Sequence, residues 1–383
     1  MDCQKRLFSL PHNHHYLNGA YFSPILKSVE EAGIAGIRQK REPWQVQPND
    51  FFEHSARLKS LFAQLVHAEK ANQIAILPAT SYGISTVAHN LPKKAKGKKI
   101  IVVGEQYPSN YYPWKRYCEQ SGCQIETITA PTEFKNRAQK WNDRIVDAID
   151  SETLMVAMAN IHWTDGTLFD LKAIGERARD VDAYFVIDGT QSVGALPFDI
   201  RDLQADALIC SGYKWLMGPY STALGYFGER FADGLPLEEG WIERKGSENF
   251  AELVNYTDEY QPGAARYDVG QSSNFILVPM MIKALEQILE WQSKNIQNYC
   301  RKLTNQLTEE LPQLGYQIED ANSRTHHLFG IHLPEHIQPK ELQQKLTENN
   351  IHVSVRGSAL RVSPNVYNDE ADIAALRKVL VNS

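Results

Sequence analysis

Cysteine is scarce in this chain and poorly placed for cross-linking. The five residues, Cys3, Cys118, Cys123, Cys210 and Cys300, are odd in number, scattered, and without a Cys-x-x-Cys pair. That argues against a disulfide framework and makes the cytoplasm the expected compartment. Long apolar runs are missing too, so no segment reads as a membrane span. The first fifteen residues are polar, broken by Pro11, and lack the apolar core of a secretory signal. Basic residues form no long block. The densest run, Lys93 to Lys99, reads as a solvated turn before a strand, and a net charge of −6 gives no reason to expect nucleic acid or an anionic membrane. His12, His14 and His15 have no suitably spaced cysteine or carboxylate beside them and read as an exposed polar terminus, not a metal arm. Internal repeats and low-complexity stretches are likewise missing.

What is present is enough apolar material, 43% of 383 residues, to fill a sizeable core, and a length that calls for two or three domains. Short β-rich runs alternate with helical stretches. Strands are expected at 73–77, 99–103, 124–128, 154–160, 184–188, 207–210 and 222–227, with helices at 82–90, 111–121, 142–149 and 171–181. Several runs are almost continuously apolar, as strands covered on both faces are. The alternation predicts an α/β fold with a mostly parallel sheet and right-handed crossovers. Ligands of such sheets bind beyond the carboxyl ends of the strands. After Phe227 the pattern changes. A polar stretch interrupted by Gly and Pro runs to about Ser273, and a long helix follows from about Val278, with apolar residues at Ile282, Leu285, Ile288, Leu289 and Trp291. Strand-like pieces then recur at 328–333, 351–355 and 360–362. The expected organisation is a large α/β domain over 16–265 and a smaller C-terminal α+β domain over 275–383, with the N-terminal arm 1–15 packed near the junction.

Three groups of residues carry chemistry. Val186 to Ser192 is a strand that ends in a carboxylate, Asp188, and then turns. Ser211-Gly212-Tyr213-Lys214-Trp215 directly follows the next strand. Ala79-Thr80-Ser81-Tyr82-Gly83 is a small, hydroxyl-rich turn that opens a helix. Taken alone, Lys214 reads as a solvated surface lysine, Asp188 as a turn residue, and Thr80 and Ser81 as helix caps. Their joint occurrence at successive strand ends supplies what pyridoxal 5′-phosphate needs. A carboxylate keeps the pyridine nitrogen protonated, and an amine forms the imine and later acts as acid and base. A helix N-terminus with hydroxyls takes the phosphate.

On these motifs, and from Tyr16-Leu17-Asn18-Gly19-Ala20 to Arg361-Val362-Ser363-Pro364, the sequence resembles the class V aminotransferase family. That family includes cysteine desulfurases, kynureninases and isopenicillin N epimerase-like proteins. The resemblance implies a type I fold of the pyridoxal-phosphate transferases, with Lys214 as the Schiff-base lysine and Asp188 against the ring nitrogen. It implies phosphate contacts from Thr80, Ser81, Ser211 and Tyr213, and a hydrogen bond from Gln191 to the cofactor's phenolic oxygen. Tyr107, before Pro108, is the candidate to lie on the ring; it also reads as a core aromatic near a turn, with Pro108 or Asn110 as the neighbour instead. Family members are generally homodimers whose partner completes the phosphate site, which here points to Gly270, Gln271 and Ser272. Arg361 lies where relatives hold the substrate α-carboxylate. Arg356 reads equally as a grip for a second carboxylate or a solvent-facing residue.

Residues 161–166, with His162 and Trp163, should line the substrate side of the ring. His162 reads as an acid/base group or as a satisfied core histidine, and Trp163 as a shaper of the side-chain pocket. Cysteine desulfurases need a mobile cysteine shortly before the Arg361 segment, and residues 351–361 contain none. They also commonly carry His where this chain has Tyr213. The expected activity is therefore a transaminase or lyase acting on a small amino acid, with an epimerase as the alternative. Two other classes compete: a phosphotransferase or hydrolase using Asp188, for which only Asp165 offers a second strand-end carboxylate, and a cofactor-free binding protein on the same fold.

Overall fold

The computed structural model describes residues 1–357 and 359–383. The strands are β1 (His15–Tyr16), β2 (Ile74–Leu77), β3 (Lys99–Val103), β4 (Gln124–Ile128), β5 (Thr153–Ala159), β6 (Tyr184–Asp188), β7 (Ala207–Ser211) and β8 (Ala223–Phe227), followed by β9 (Phe329–His332), β10 (Ile351–His352), β11 (Ser354–Arg356) and β12 (Ala359–Val362). Seven of them form one sheet in the order β2-β8-β7-β6-β5-β3-β4. Pairing is parallel from β4 across to β7, while β8 runs antiparallel to both β7 and β2. The sheet is therefore mostly parallel, as the alternating pattern predicts. Its inner strands are buried along almost their whole length because helices cover both faces.

On one face the core joins Phe62, Trp141, Ile145 and Ile174 to the sheet, from the helices Glu53–Val66, Arg137–Ala148 and Leu171–Asp180. On the other it joins Ile84, Val87, Trp114 and Tyr117, from Thr80–His89 and Tyr112–Ser121. The helix Thr80–His89 sits tight on the sheet. A Cβ on Gly83 would lie 2.7 Å from Leu77 Cδ1 and 2.8 Å from Ile209 Cδ1, so its N-terminus is held at the rim.

The tail forms an antiparallel sheet, β11-β12-β9. Leu307, Leu342, Leu346 and Leu376 pack on it from the helices Ser293–Glu310, Pro339–Glu348 and Glu370–Val381. The N-terminal arm binds this part. β1 pairs with β10, Gln4 N donates to Val366 O at 2.7 Å, and Lys5 Nζ lies 2.9 Å from Asp369.

Three local features differ from the sequence pattern. The helix expected at 142 begins at Arg137, whose guanidinium is buried because tertiary carboxylates neutralise it. The run 351–355 splits at Val353: β10 pairs with the arm and β11 with β12. The helix expected from 278 spans Leu277–Trp291, breaks at Gln292 with φ 64°, and resumes at Ser293. Its Val278, Met281, Leu285 and Ile288 pack into the core of the seven-stranded sheet. Among the described residues no helix is long and apolar enough to cross a membrane.

Candidate active site

The antiparallel direction of β8 brings its amino end to the same rim as the carboxyl ends of β2, β3, β5, β6 and β7. Segments from all six strands enclose a cavity of about 240 Å³. Its wall contains Thr80 and Ser81 after β2, Tyr107 after β3, and His162 and Trp163 after β5. It also contains Asp188 and Gln191 from the end of β6, and Ser211, Tyr213 and Lys214 from the end of β7. Ten residues singled out from sequence thus meet at one place.

Lys214 and Asp188 are both buried on this wall. Burial lowers the Lys214 ammonium to about 8, with Arg361 and Arg356 pushing the same way and Asp188 opposing. Burial also raises the Asp188 carboxyl, against the pull of Thr190 and Lys214. Thr190 N donates to Asp188 Oδ1 at 3.0 Å, which aims the carboxylate from the strand end. The Thr190 hydroxyl lies 3.4 Å from Thr80 Oγ1 and accepts from Ser211 N at 3.2 Å, so one side chain ties the three loops together. Ser211 Oγ is buried and has no hydrogen-bond partner. Tyr213 packs on Tyr220 at 4.7 Å and on Phe22 at 5.3 Å, and burial raises its phenol to about 12. Lys214 Nζ stands 5.5 Å from the centre of the Tyr107 ring, which meets Trp163 edge-on at 5.4 Å.

Gln191 is clamped. Its Nε2 donates to Ala20 O at 3.2 Å, its Oε1 accepts from Trp215 Nε1 at 2.8 Å, and its carbonyl accepts from buried His327 at 2.8 Å. One amide proton is left for the cavity. His162 has both ring nitrogens engaged: Nε2 donates to Gly104 O at 3.0 Å, and Nδ1 meets Thr164 Oγ1 at 2.7 Å. Its faces pack on Trp141 and Phe169.

Arg361 and Arg356 are not on the cavity wall, but both reach Trp163, which is. Arg361 Nη1 donates to Trp163 O at 2.7 Å, and Arg356 Cζ lies 5.8 Å from the centre of the Trp163 ring. Arg361 is almost wholly buried, and burial lowers it to about 9. Gln271 and Ser272 are not on the cavity wall. Gln271 is exposed beside a groove with Phe51, Trp241 and Phe275, and the Ser272 carbonyl accepts from Ser55 Oγ at 3.4 Å. Gly270 N donates to Glu238 at 2.6 Å.

Sequence reasoning passed over Thr190, although it sits between Asp188 and Gln191. It also passed over Tyr220, Ser221 and Thr222, which join the wall only because β8 is antiparallel. Trp215 and His327 act on the cavity through Gln191, and no local pattern announces them. Asp165, considered as a second strand-end carboxylate, has His162 Nδ1 at 3.5 Å and Arg137 at 2.8 Å, and against its burial these two hold it well below the usual carboxylate range.

Residues 48–376 match the family profile described as aminotransferase class-V. An uncharacterized aminotransferase of Bacillus subtilis is 23% identical over 356 residues, 92% of this chain and 89% of the relative. The apo structure of a cysteine desulfurase from Thermococcus onnurineus superposes with a TM-score of 0.84 at 21% identity, covering 100% of this chain and 98% of the other. A variant of the protein C-DES, solved with glycine covalently linked to its PLP cofactor, also gives 0.84 at 17% identity, covering 99% of each chain. With the match running over most of its length, the chain belongs to the class V aminotransferase family of pyridoxal 5′-phosphate-dependent enzymes.

Proposed function

We propose that Lys214 and Asp188 are the catalytic residues of this enzyme, and that it acts on a small amino acid as a transaminase or lyase. The observation that carries this is a buried lysine and a buried carboxylate on one cavity wall, in which Asp188 is the opposite charge acting on Lys214. The residues fit the cofactor. Asp188 has a free carboxylate edge for a protonated ring nitrogen, Ser211 Oγ lacks a partner, and Thr80 and Ser81 open a ten-residue helix suited to a phosphate. When bound, pyridoxal 5′-phosphate supplies an electron sink for the bonds at the substrate Cα.

The chain's own groups supply the rest. Lys214 would hold the cofactor through Nζ and, once the substrate amine has displaced it, its buried amine is the group placed to take the Cα proton and return it. Asp188 keeps a negative charge at the nitrogen end. Thr80, Ser81, Ser211 and Tyr213 seat the phosphate, and Gln191 offers its remaining amide proton. Tyr107 covers one side and excludes water, Arg361 orients the α-carboxylate, and Trp163 shapes the side-chain space. His162, with both nitrogens engaged, holds the Gly104 loop against β5 and so positions that wall. A sulfur-accepting role finds no support in the thiols. Cys118, Cys123, Cys210 and Cys300 are buried, Cys3 lies on the N-terminal arm, and none of the five is on the cavity wall. Gly270, Gln271 and Ser272 lie apart from the cavity of their own chain and are proposed to complete the phosphate site of a second copy.

Reduction of the yellow holoenzyme with borohydride, followed by peptide mass spectrometry, tests the assignment. The phosphopyridoxyl group is expected on Lys214. Its appearance on any other lysine would overturn the proposal.

A further inference from the structure

We infer that the substrate carries a second anionic group, a side-chain carboxylate, and that Arg356 selects it. The inference rests on the reading above, in which Arg361 takes the α-carboxylate.

The register of the β11–β12 hairpin pairs Ser354 with Arg361 and Arg356 with Ala359. Cross-strand partners share a face of the sheet, and so do residues two apart on a strand. Arg356 and Arg361 are therefore diagonal neighbours on one face, about 7–8 Å apart at Cα. Both reach Trp163, the first over its ring and the second to its carbonyl. Two like charges so placed repel, and Arg356 is one cause of the lowered proton affinity of Arg361.

No anion among the described residues compensates for this. Among the described residues no carboxylate comes within 4.0 Å of either guanidinium. Among the described residues the polar contacts of the pair are backbone carbonyls: Val355 O for Arg356 at 2.8 Å and Trp163 O for Arg361. Both Nε atoms are buried without a hydrogen-bond partner. The same fold neutralises a buried arginine fully when the role is structural. Arg137, a few residues from the same wall, is bonded by Asp165 at 2.8 Å and Glu319 at 2.7 Å. Arg361 is a buried cation, which is costly without a partner, and Arg356 beside it is half-buried; one α-carboxylate satisfies only one guanidinium fork. The second fork is left for another anion.

There is room for it. A second cavity of about 360 Å³ shares His162 with the first and is lined by Arg356, Gly104, Glu105, Thr127 and Arg137. Arg137 is already neutralised by Asp165 and Glu319, so Arg356 is the cation left to face this space; exposed Glu105, which also lines it, forms no ion pair among the described residues. A side chain leaving the reacting carbon past Trp163 would carry its carboxylate there.

Calorimetric titration of the holoenzyme with succinate and glutarate, against butyrate as the single-carboxylate control, tests the inference. One of the dicarboxylates should bind at least tenfold more tightly than butyrate, about 1.4 kcal/mol. In Arg356→Leu that margin should collapse toward unity, and Arg356→Lys, a compact charge without the planar fork, should retain part of it. Equal affinities for the three ligands in the parent enzyme would overturn the inference, whatever the variants do. So would a margin that survives in Arg356→Leu. Glutamate against glutamine gives the same comparison as kcat/KM, with the preference for glutamate lost in Arg356→Leu. If the borohydride adduct lies on Lys214 while the dicarboxylate margin is missing, this inference fails alone. An adduct elsewhere removes its premise.

Discussion

Acetylation of the apoprotein with a small amine-reactive reagent, followed across pH by peptide mass spectrometry, should set Lys214 apart from the exposed lysines. Burial is the main cause of its fall from an ordinary 10.5 to about 8. At pH 7 an amine of pKa 8 is about 9% neutral and one of 10.5 about 0.03%, a ratio of about 300, because each unit is tenfold. Limited access slows the reagent at a buried side chain, so the quantity to read is the midpoint of the pH profile, expected near 8. Arg361→Leu removes a cation and should move the midpoint up; Asp188→Asn removes the anion and should move it down. The same shift links the apoprotein's stability to pH. Between about 8 and 10.5 folded Lys214 has lost its proton while an unfolded lysine keeps its own. The unfolded chain then binds more protons, and the unfolding free energy rises with pH across that window. The contribution from this group is about 3 kcal/mol. Lys214→Met should remove that part of the slope. A Lys214 midpoint at 10.5, or Asp188→Asn and Arg361→Leu moving it in the same direction, would refute the electrostatic account.

Asp188→Asn should keep the bound cofactor and lose most turnover, seen as slower exchange of the substrate Cα proton in deuterated water; unchanged exchange would return Asp188 to the role of a turn residue. Arg137→Met leaves buried Asp165 and Glu319 unpaired and should lower the unfolding free energy in urea by about 3–5 kcal/mol; a loss below about 1 kcal/mol would contradict it. In Gly212→Ala the new Cβ would overlap Thr222 Oγ1 and lie 2.9 Å from Thr222 O, so the cavity wall must move. Cofactor affinity measured by absorbance should fall at least tenfold, and an unchanged affinity would show that the wall gives way freely. Sedimentation of the holoenzyme at micromolar concentration should show a dimer; a fully active monomer would remove the partner role given to Gly270, Gln271 and Ser272.

The sequence determined what is local. The strands 99–103 and 184–188 follow apolar runs, because a strand covered on both faces takes mostly apolar side chains, whereas 124–128, half-exposed at the sheet edge, carries Gln124, Glu126 and Thr127. The three loops that meet at the cavity were legible for a related reason. In a sheet that is mostly parallel, carboxyl ends share one rim, so Thr80, Asp188 and Lys214 could be placed together before any distance was known. What depended on distant partners was hidden. The direction of β8, which adds Tyr220, Ser221 and Thr222 to the wall, is a matter of pairing with β7 and β2 and leaves no mark in its own residues. Arg137 lies outside the helix expected from 142, and nothing in its own stretch foretells Asp165 and Glu319, 28 and 182 positions away, which come to it. The clamp on Gln191 draws on Ala20, Trp215 and His327, and the lack of an ion pair at Arg356 and Arg361 among the described residues depends on where distant carboxylates lie. Apolar periodicity acts along the chain and can be read from it, whereas charge compensation and the shape of a cavity are sums over neighbours in space, which only the tertiary structure decides.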